Sequence, residues 1–527
     1  MVILRFNKIT KILSAVFLSL VFSVVVKVGV SAADNIRVGL RFGEDAVYSF
    51  NASCPSGFSV GFARDSEFIK LSEVPSDTLY AEQGGGVYLI SANEYESFEA
   101  ALTEARRLVS LNIYAHTGYI NGKFYVLSGL FSSNEEAQSY IPGFKELSGI
   151  DFVLTYMDTK AVFAIMGKDT FVFRNESDAF CVEGLNNTNI TVSGKGEYRG
   201  AIMADRTYSK AVSVINLVDL DDYLASVVGS EMYATWHIEA LKAQAVIART
   251  YALTRTAYKS YGVDVTDDTR TQAYNGVSRE TESTYRAAHE TSGMVVKYKG
   301  KLAETFFYSM SGGKTADVYS AWGGGAGLDY LKSVDDIYED VENIKSDIWQ
   351  VTYTSAEIEK KLKAAGVNIG NVTGVKVKDR GEDLRVRKLA IIGTNGEYTL
   401  TFDKCRSFFN LRSQYYYVTG SGEEEKATAF VLSKDGVGEV DLKNAFVLSK
   451  DGIIKLPNKA TVLGSSLSTA IYLPDSDVQS DTFVFDGRGN GHGVGMSQYG
   501  AWGMAKEGFM YDEIIKFYFT GVTVEEY

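Results

Sequence analysis

The chain reads as an α+β protein built from more than one module. Short alternating β patterns dominate its 527 residues, helical stretches interrupt them at only a few places, and 45% hydrophobic with 23% charged content is that of a globular chain. Length alone calls for two to four domains. Thirty-three Tyr and 29 Phe suit strands and also flat ligands such as sugars. A formal net charge of −13 argues against a nucleic-acid partner and against simple attraction to anionic membranes; its plainest reading is solubility.

Residues 1–33 read as an export signal or membrane anchor. Arg5, Lys8 and Lys11 form a positive start, Ile12–Val26 is an apolar and small-residue run, and small residues around Ala32 and Ala33 fit a cleavage site. Its removal takes away four basic residues and no acid, leaving about −17. Cys54, Cys181 and Cys405 are few, odd in number and far apart, so neither a disulfide framework nor a zinc site is expected.

Residues 34–160 are expected to form an N-terminal domain. Strands at Val87–Ser91, Ile113–His116, Phe124–Leu130 and Phe152–Tyr156 alternate with helices at Tyr95–Val109 and from an Asn134 cap to about Leu147. Asn121-Gly122 makes the turn between the middle strands. The order β-α-β-β-α-β is ferredoxin-like. The segment KFYVLSGLFSSNEEA resembles the SPOR module, which binds septal glycan strands stripped of peptides; a plain ferredoxin-like domain is the alternative.

Residues 161–420 begin with short β patterns, and Asp219-Leu-Asp-Asp222 reads as a cap opening a helix that delivers Glu231. In SEMYATWHIEALKAQAVIARTY, Glu231 lies among Val228, Met232, Tyr233 and Trp236, and an Ala-rich helix follows at once. A carboxyl group in such surroundings is expected to have a raised pKa, as a general acid near neutral pH requires. The alternative is a solvated Glu at a helix start, favoured by the helix dipole. Met294–Gly300 and Lys301–Met310 read as a hairpin running into Ser311-Gly-Gly-Lys-Thr315, which lacks the full phosphate-loop frame.

Residues 421–475 read as a linker, Gly420–Lys426, and a small β insert in which AFVLSKDG occurs at Ala429–Gly436 and again at Ala445–Gly452. In the final segment, 476–527, Gly487, Gly489, Gly491, Gly493 and Gly495 fall on every second position of FDGRGNGHGVGMSQYGAWGMAKEG. In an extended chain they leave one face bare, open to a backbone or a sugar ring. Pure packing is the alternative.

SEM…W…EALKAQAVIARTYAL followed far downstream by GHGVGMSQYGA resembles the stage II sporulation protein D (SpoIID)/LytB family. YRG at Tyr198–Gly200, VINLVDLDDYLASVVGSEM, SGGKT and YDEIIKFYFTGV also match, so the resemblance covers roughly 190–527 without the insert. It implies a mixed α/β catalytic domain and a lytic transglycosylase cleaving the MurNAc-β-1,4-GlcNAc bond to leave a 1,6-anhydro end. It assigns Glu231 as the catalytic acid. Arg249, Gly312, Gly313, Thr315, His492, Gln498 and Tyr499 follow as glycan contacts. Many relatives carry a Cys-Asp-Thr-Thr-His-Cys-Gln loop, and some bind zinc there. Here the run is Thr266-Asp-Asp-Thr-Arg270-Thr271-Gln272, so neither a metal nor any other cofactor is expected.

Two further readings stand beside the enzyme. One is a non-catalytic wall binder that stimulates an N-acetylmuramoyl-L-alanine amidase, as LytB-type members are described. The other is an envelope protein whose work lies in the β-α-β-β-α-β region. The expected partners are peptidoglycan glycan strands, with an amidase or a sporulation or septal complex beside them, at the outer face of the envelope.

Overall fold

Strand-forming stretches from the first 220 residues interleave, rather than stacking in chain order, into two large sheets. The computed structural model describes residues 35–527 apart from 209, 340–347, 420–427 and short breaks at 434–435, 442–445, 450–451, 456–458, 464–467 and 473–480. The expected export segment and the Gly420–Lys426 linker lie outside the described residues.

The first sheet has seven strands. Asn35–Arg41 pairs antiparallel with Ser213–Asp219 and parallel with Val265–Thr266; Ala201–Asp205, Ala179–Gly184, Phe58–Arg64 and Glu67–Val74 complete it. The second has ten. Within it the expected β-α-β-β-α-β run appears as Gly86–Ser91, helix α1 (Phe98–Ser110), Ala115–Ile120, Lys123–Phe131, helix α2 (Asn134–Ser148) and Phe152–Met157. These strands lie in the order 115–120, 123–131, 86–91, 152–157, antiparallel to their neighbours. Asn121 and Gly122 make the turn at positive φ, as expected. The cap of α2 is Ser133, whose hydroxyl accepts from the Glu136 N–H, rather than Asn134.

This run is not a free-standing sheet. Ala115–Ile120 continues by parallel pairing onto Asp169–Arg174, so main-chain hydrogen bonds cross the boundary expected near residue 160. Phe58, Val60, Leu79, Phe171, Val214 and Val218 share one apolar core drawn from both sheets. Burial on this scale is the main force holding the half together.

The second half is organised around helix α3 (Leu220–Glu231) and helix α4 (Ile238–Thr254), followed by helix α5 (Glu282–His289). The Asp219 side chain accepts from the N–H groups of Asp221 and Asp222 and starts α3 as the sequence predicts. Ala240, Leu241, Ala243, Ala245, Val246 and Ile247 of α4 are enclosed, so this helix is core on nearly all sides. The hairpin expected over 294–310 is corrected. Only Lys301–Leu302 pairs back onto Met294–Tyr298, which takes Thr523–Glu526 as its other neighbour. Phe307–Tyr308 instead pairs in parallel with Met496–Ser497.

Between these segments lies a separate apolar core built from Ile348–Thr354, the meander Val372–Arg380, Val386–Gly393 and Gly396–Thr401, and Tyr416–Thr419 beside Thr482–Arg488. The AFVLSKDG copies supply the first strands of two hairpins, Thr428–Ser433 with Gly436–Asp441 and Phe446–Ser449 with Gly452–Lys455; Lys459–Leu463 with Ser468–Tyr472 forms a third.

The glycine alternation is taken up by protein, not left bare. A Cβ on Gly487 would lie 2.1 Å from the Trp349 ring, on Gly491 2.7 Å from Tyr308 Cβ, on Gly493 2.6 Å from Arg385 Nε and on Gly495 2.1 Å from the Phe306 carbonyl oxygen. Gly495 also has φ +81. Gly495→Ala is therefore expected to destabilise the protein by about 1–3 kcal/mol or more, whereas Gly143→Ala, with nothing within 4 Å of the added methyl, should be neutral or stabilising in the same thermal melts.

Candidate active site

Glu231 is the last residue of α3, not the first of a helix. The carbonyl end of a helix disfavours an anion, so the dipole that would stabilise a solvated Glu at a helix start here opposes ionisation. Its side chain is partly enclosed, and burial raises its pKa above the ordinary carboxylate range. Two contacts temper the rise. The Ala273 N–H donates to Glu231 Oε1 at 3.3 Å. The Gln498 side chain approaches the same carboxyl group. Burial thus favours the acid form of Glu231, while the two contacts favour its carboxylate.

The loop that presents Ala273 is fixed from below. The Tyr223 hydroxyl donates to Gln272 Oε1 at 3.1 Å, and the Tyr274 hydroxyl to Asn216 Oδ1 at 2.7 Å. At its other end Thr266 and Thr271 hydroxyls meet at 3.0 Å, Lys195 pairs with Asp267 at 2.6 Å and Arg270 with Asp268 at 3.0 Å. This is the run aligned with the zinc loop of some relatives. It offers no Cys or His, and cations of the chain already occupy both of its carboxylates, so the donor set does not suit zinc. Protein purified without tags should contain no stoichiometric zinc by elemental analysis.

Gln498 opens helix α6 (Gln498–Lys506), which Ser497 caps through the Gly500 N–H. Its Nε2 is buried, with no other partner among the described residues than the Glu231 carboxyl group it approaches. An aromatic group surrounds this point: Trp236 stacks on Trp502 with ring centroids 5.1 Å apart and planes 13° from parallel, Tyr499 meets Trp236 edge-on at 4.8 Å, and Tyr233 lies 5.5 Å from Trp236.

The other expected contacts sit elsewhere. Arg249 is 1% exposed, and its guanidinium donates to Asp221 Oδ1 at 2.6 Å and to the carbonyls of Ala288 and Met294 at 3.0 and 3.1 Å. Having spent these donors inside the fold, it locks the start of α3 to α4 and α5 and acts on Glu231 only through that packing. Gly312 and Gly313 are buried in a turn that Arg385 braces through the carbonyls of Ser311 and Lys314 at 3.1 and 2.9 Å. Glu339 accepts from both the N–H and the hydroxyl of Ser311. Thr315, also 1% exposed, exchanges hydrogen bonds with Val334, N–H to carbonyl at 2.9 Å and N–H to hydroxyl at 2.8 Å. These three positions serve the packing of this turn rather than meet solvent.

His492 lies among Phe306, Tyr308 and Trp322, with ring centroids 6.3, 5.4 and 5.3 Å away. Burial, with Arg406 next, lowers its pKa to about 4, so it is neutral at physiological pH. Its Nδ1 accepts from the Val494 N–H at 3.1 Å, which leaves the proton on Nε2. Of the sequence-derived contacts, the structure thus brings Gln498 and Tyr499 to the Glu231 side. Sequence reasoning missed the Ala273 N–H and Trp502. The second was within reach, since Trp502 falls one helical turn after Gln498; a backbone donor leaves no such signal.

A family model described as stage II sporulation protein (SpoIID) matches residues 208–298, the span of α3, α4 and α5. A second, described as a domain of unknown function (DUF8618), matches 336–439. Among curated proteins the chain is similar to the amidase enhancer of Bacillus subtilis, 28% identical over 322 residues covering 58% of this chain. It is also similar to stage II sporulation protein D of the same organism, 28% over 341 residues or 60% of the chain, and to an uncharacterized protein of Brachyspira hyodysenteriae, 27% over 362 residues or 68%. These matches span 40% of the amidase enhancer's own length and 78% and 77% of the other two.

Glu231→Gln tests the burial argument independently of function. With a folded-state pKa above the unfolded one, ionised Glu231 costs stability at neutral pH. That cost is relieved as pH falls through the folded-state pKa, and it is gone below the unfolded value of about 4.3. The variant should therefore melt higher than the parent near pH 7 and at the same temperature near pH 3, by calorimetry.

Proposed function

We propose that this chain, which belongs to the SpoIID/LytB family, is an exported lytic transglycosylase of peptidoglycan glycan strands. The observation that carries the reading is the partly enclosed Glu231 carboxyl group at the carbonyl end of α3, approached by the Ala273 N–H and by Gln498. A transglycosylase of this kind needs one carboxyl group, not a pair. Protonated Glu231 gives its proton to the bridging oxygen between MurNAc C1 and GlcNAc as that bond breaks. The sugar's own 6-hydroxyl then closes on C1, and its proton passes to the Glu231 carboxylate, which restores the acid and consumes no water. The Ala273 N–H and Gln498 stabilise the carboxylate between the two transfers. The basic and apolar segment at 1–33 supports export to the outer face of the envelope.

The amidase-enhancer reading stands second, favoured by the relative of that name and by Arg249 and Thr315 being enclosed. Under it, the same surface binds glycan without cutting it.

Digestion of purified, peptide-free glycan strands with products read by mass spectrometry separates the two. The parent should release 1,6-anhydro ends and Glu231→Gln should be slower by roughly 10²–10⁴-fold. Because the acid must be protonated, kcat should fall as pH rises through the raised pKa of Glu231. Binding without cleavage by both proteins would favour the enhancer. Reducing ends without anhydro sugar would mean a hydrolase.

A further inference from the structure

The hairpin of Ile190–Val192 with Gly196–Tyr198 ends the ten-stranded sheet and lies against residues 267–280, the stretch that carries Ala273. Contacts along its length join the two. At one end the Lys195 ammonium donates to Asp267 Oδ2 at 2.6 Å, with both side chains largely enclosed. The Glu197 carbonyl oxygen comes so near Gly276, at φ +59, that a Cβ there would approach it to 2.1 Å. The Tyr198 ring packs on Tyr274 with centroids 5.8 Å apart. At the far end Arg199 Nε donates to Glu280 Oε2 at 2.8 Å. The Tyr198–Gly200 motif, which no step of the chemistry uses, thus serves this junction.

From the other side α3 takes the Gly276 carbonyl through the Ser226 hydroxyl at 2.8 Å, and the Asn275 amide donates to Ser230 Oγ at 3.0 Å. Ala273 lies between those anchors and Asp267. The Asp267 carbonyl also accepts from the Tyr274 N–H at 3.2 Å, one residue past Ala273. We propose that Lys195, contributed by the N-terminal half, is a positioning residue for Glu231: its grip on Asp267 holds the 267–274 turn so that the Ala273 N–H meets the carboxyl group. This role rests on the transglycosylase reading only where turnover is measured. No charged side chain among the described residues contributes to the pKa of Glu231, so Lys195 acts through the turn and not through its field. The titratable group facing Glu231 is Tyr223 of α3, whose own pKa is raised by burial first and then by Tyr251 and Glu231. Because the Ala273 bond favours the carboxylate, loosening it raises the pKa of Glu231 further.

That pKa can be read without turnover. In calorimetric melts of the full chain from about pH 3 to pH 8, the gain in melting temperature on adding Glu231→Gln grows in as pH rises through the folded-state pKa. Lys195→Met should move the midpoint of that gain upward by about half a unit to one unit, and Lys195→Arg should return it to the parent's position. The double variant Lys195→Met/Asp267→Ala removes the grip without changing net charge or stranding a carboxylate, and it should move the midpoint likewise. On glycan strands the upper pH limb of kcat should shift with the midpoint while KM stays within about twofold. A midpoint that stays in place in both variants, even with lower melting temperatures, overturns the role and leaves the pair a brace for the fold alone. A shift in Lys195→Met that vanishes in the double variant also overturns it, since the stray charge of Asp267 is then the cause. If the parent does not cut glycan, the transglycosylase reading fails, and the melts still decide the role of Lys195.

Discussion

Everything at the candidate site depends on one close approach between chain segments far apart in sequence. Residues 487–495 run against 306–316, with Met310 and Asn490 exchanging N–H to carbonyl bonds at 3.1 and 2.9 Å and the Ala316 N–H donating to Gly493 at 2.7 Å. Side chains on that face would collide with a carbonyl, a tyrosine or the Arg385 guanidinium. The glycines are the condition under which the last 40 residues reach Glu231 at all. Without that contact Gln498, Tyr499 and Trp502 would have no fixed relation to the acid.

A second constraint works from the opposite side. Arg249, on the helix behind the site, holds the first turn of α3 through Asp221 and the end of α5 through Ala288. Removing one partner of such an enclosed pair costs about 3–5 kcal/mol, because the remaining charge is stranded. The charged group therefore fixes the start of α3 against α4 and α5.

The region between 348 and 488 joins the site without supplying its acid. Its core is separate, yet Trp349 packs on Gly487 and donates its indole N–H to the Gly489 carbonyl at 3.0 Å. Asp403 and Arg406 are close enough to act on His492. The accessory β region is thus coupled to the glycine segment through main-chain geometry, which lets it carry insertions such as the three hairpins while the 487–499 path stays in place.

Local sequence determined a good deal by itself. The Asp219 cap, the two central helices, the β-α-β-β-α-β run with its Asn121-Gly122 turn, and the candidacy of Glu231 all follow from patterns a few residues long, because capping, helical periodicity and turn chemistry are short-range effects. What only the tertiary structure decided was which of the marked residues face a ligand. Arg249, Gly312, Gly313 and Thr315 sit in matching motifs as prominently as Gln498 and Tyr499 do, but the first four are consumed by hydrogen bonds and close packing within the fold. A motif does not distinguish a donor that serves the fold from one left over for a ligand, since that depends on partners 20 to 200 residues away. The same reason places an unannounced backbone N–H at Ala273 on the acid and turns five glycines from an open face into a joint between two chain segments.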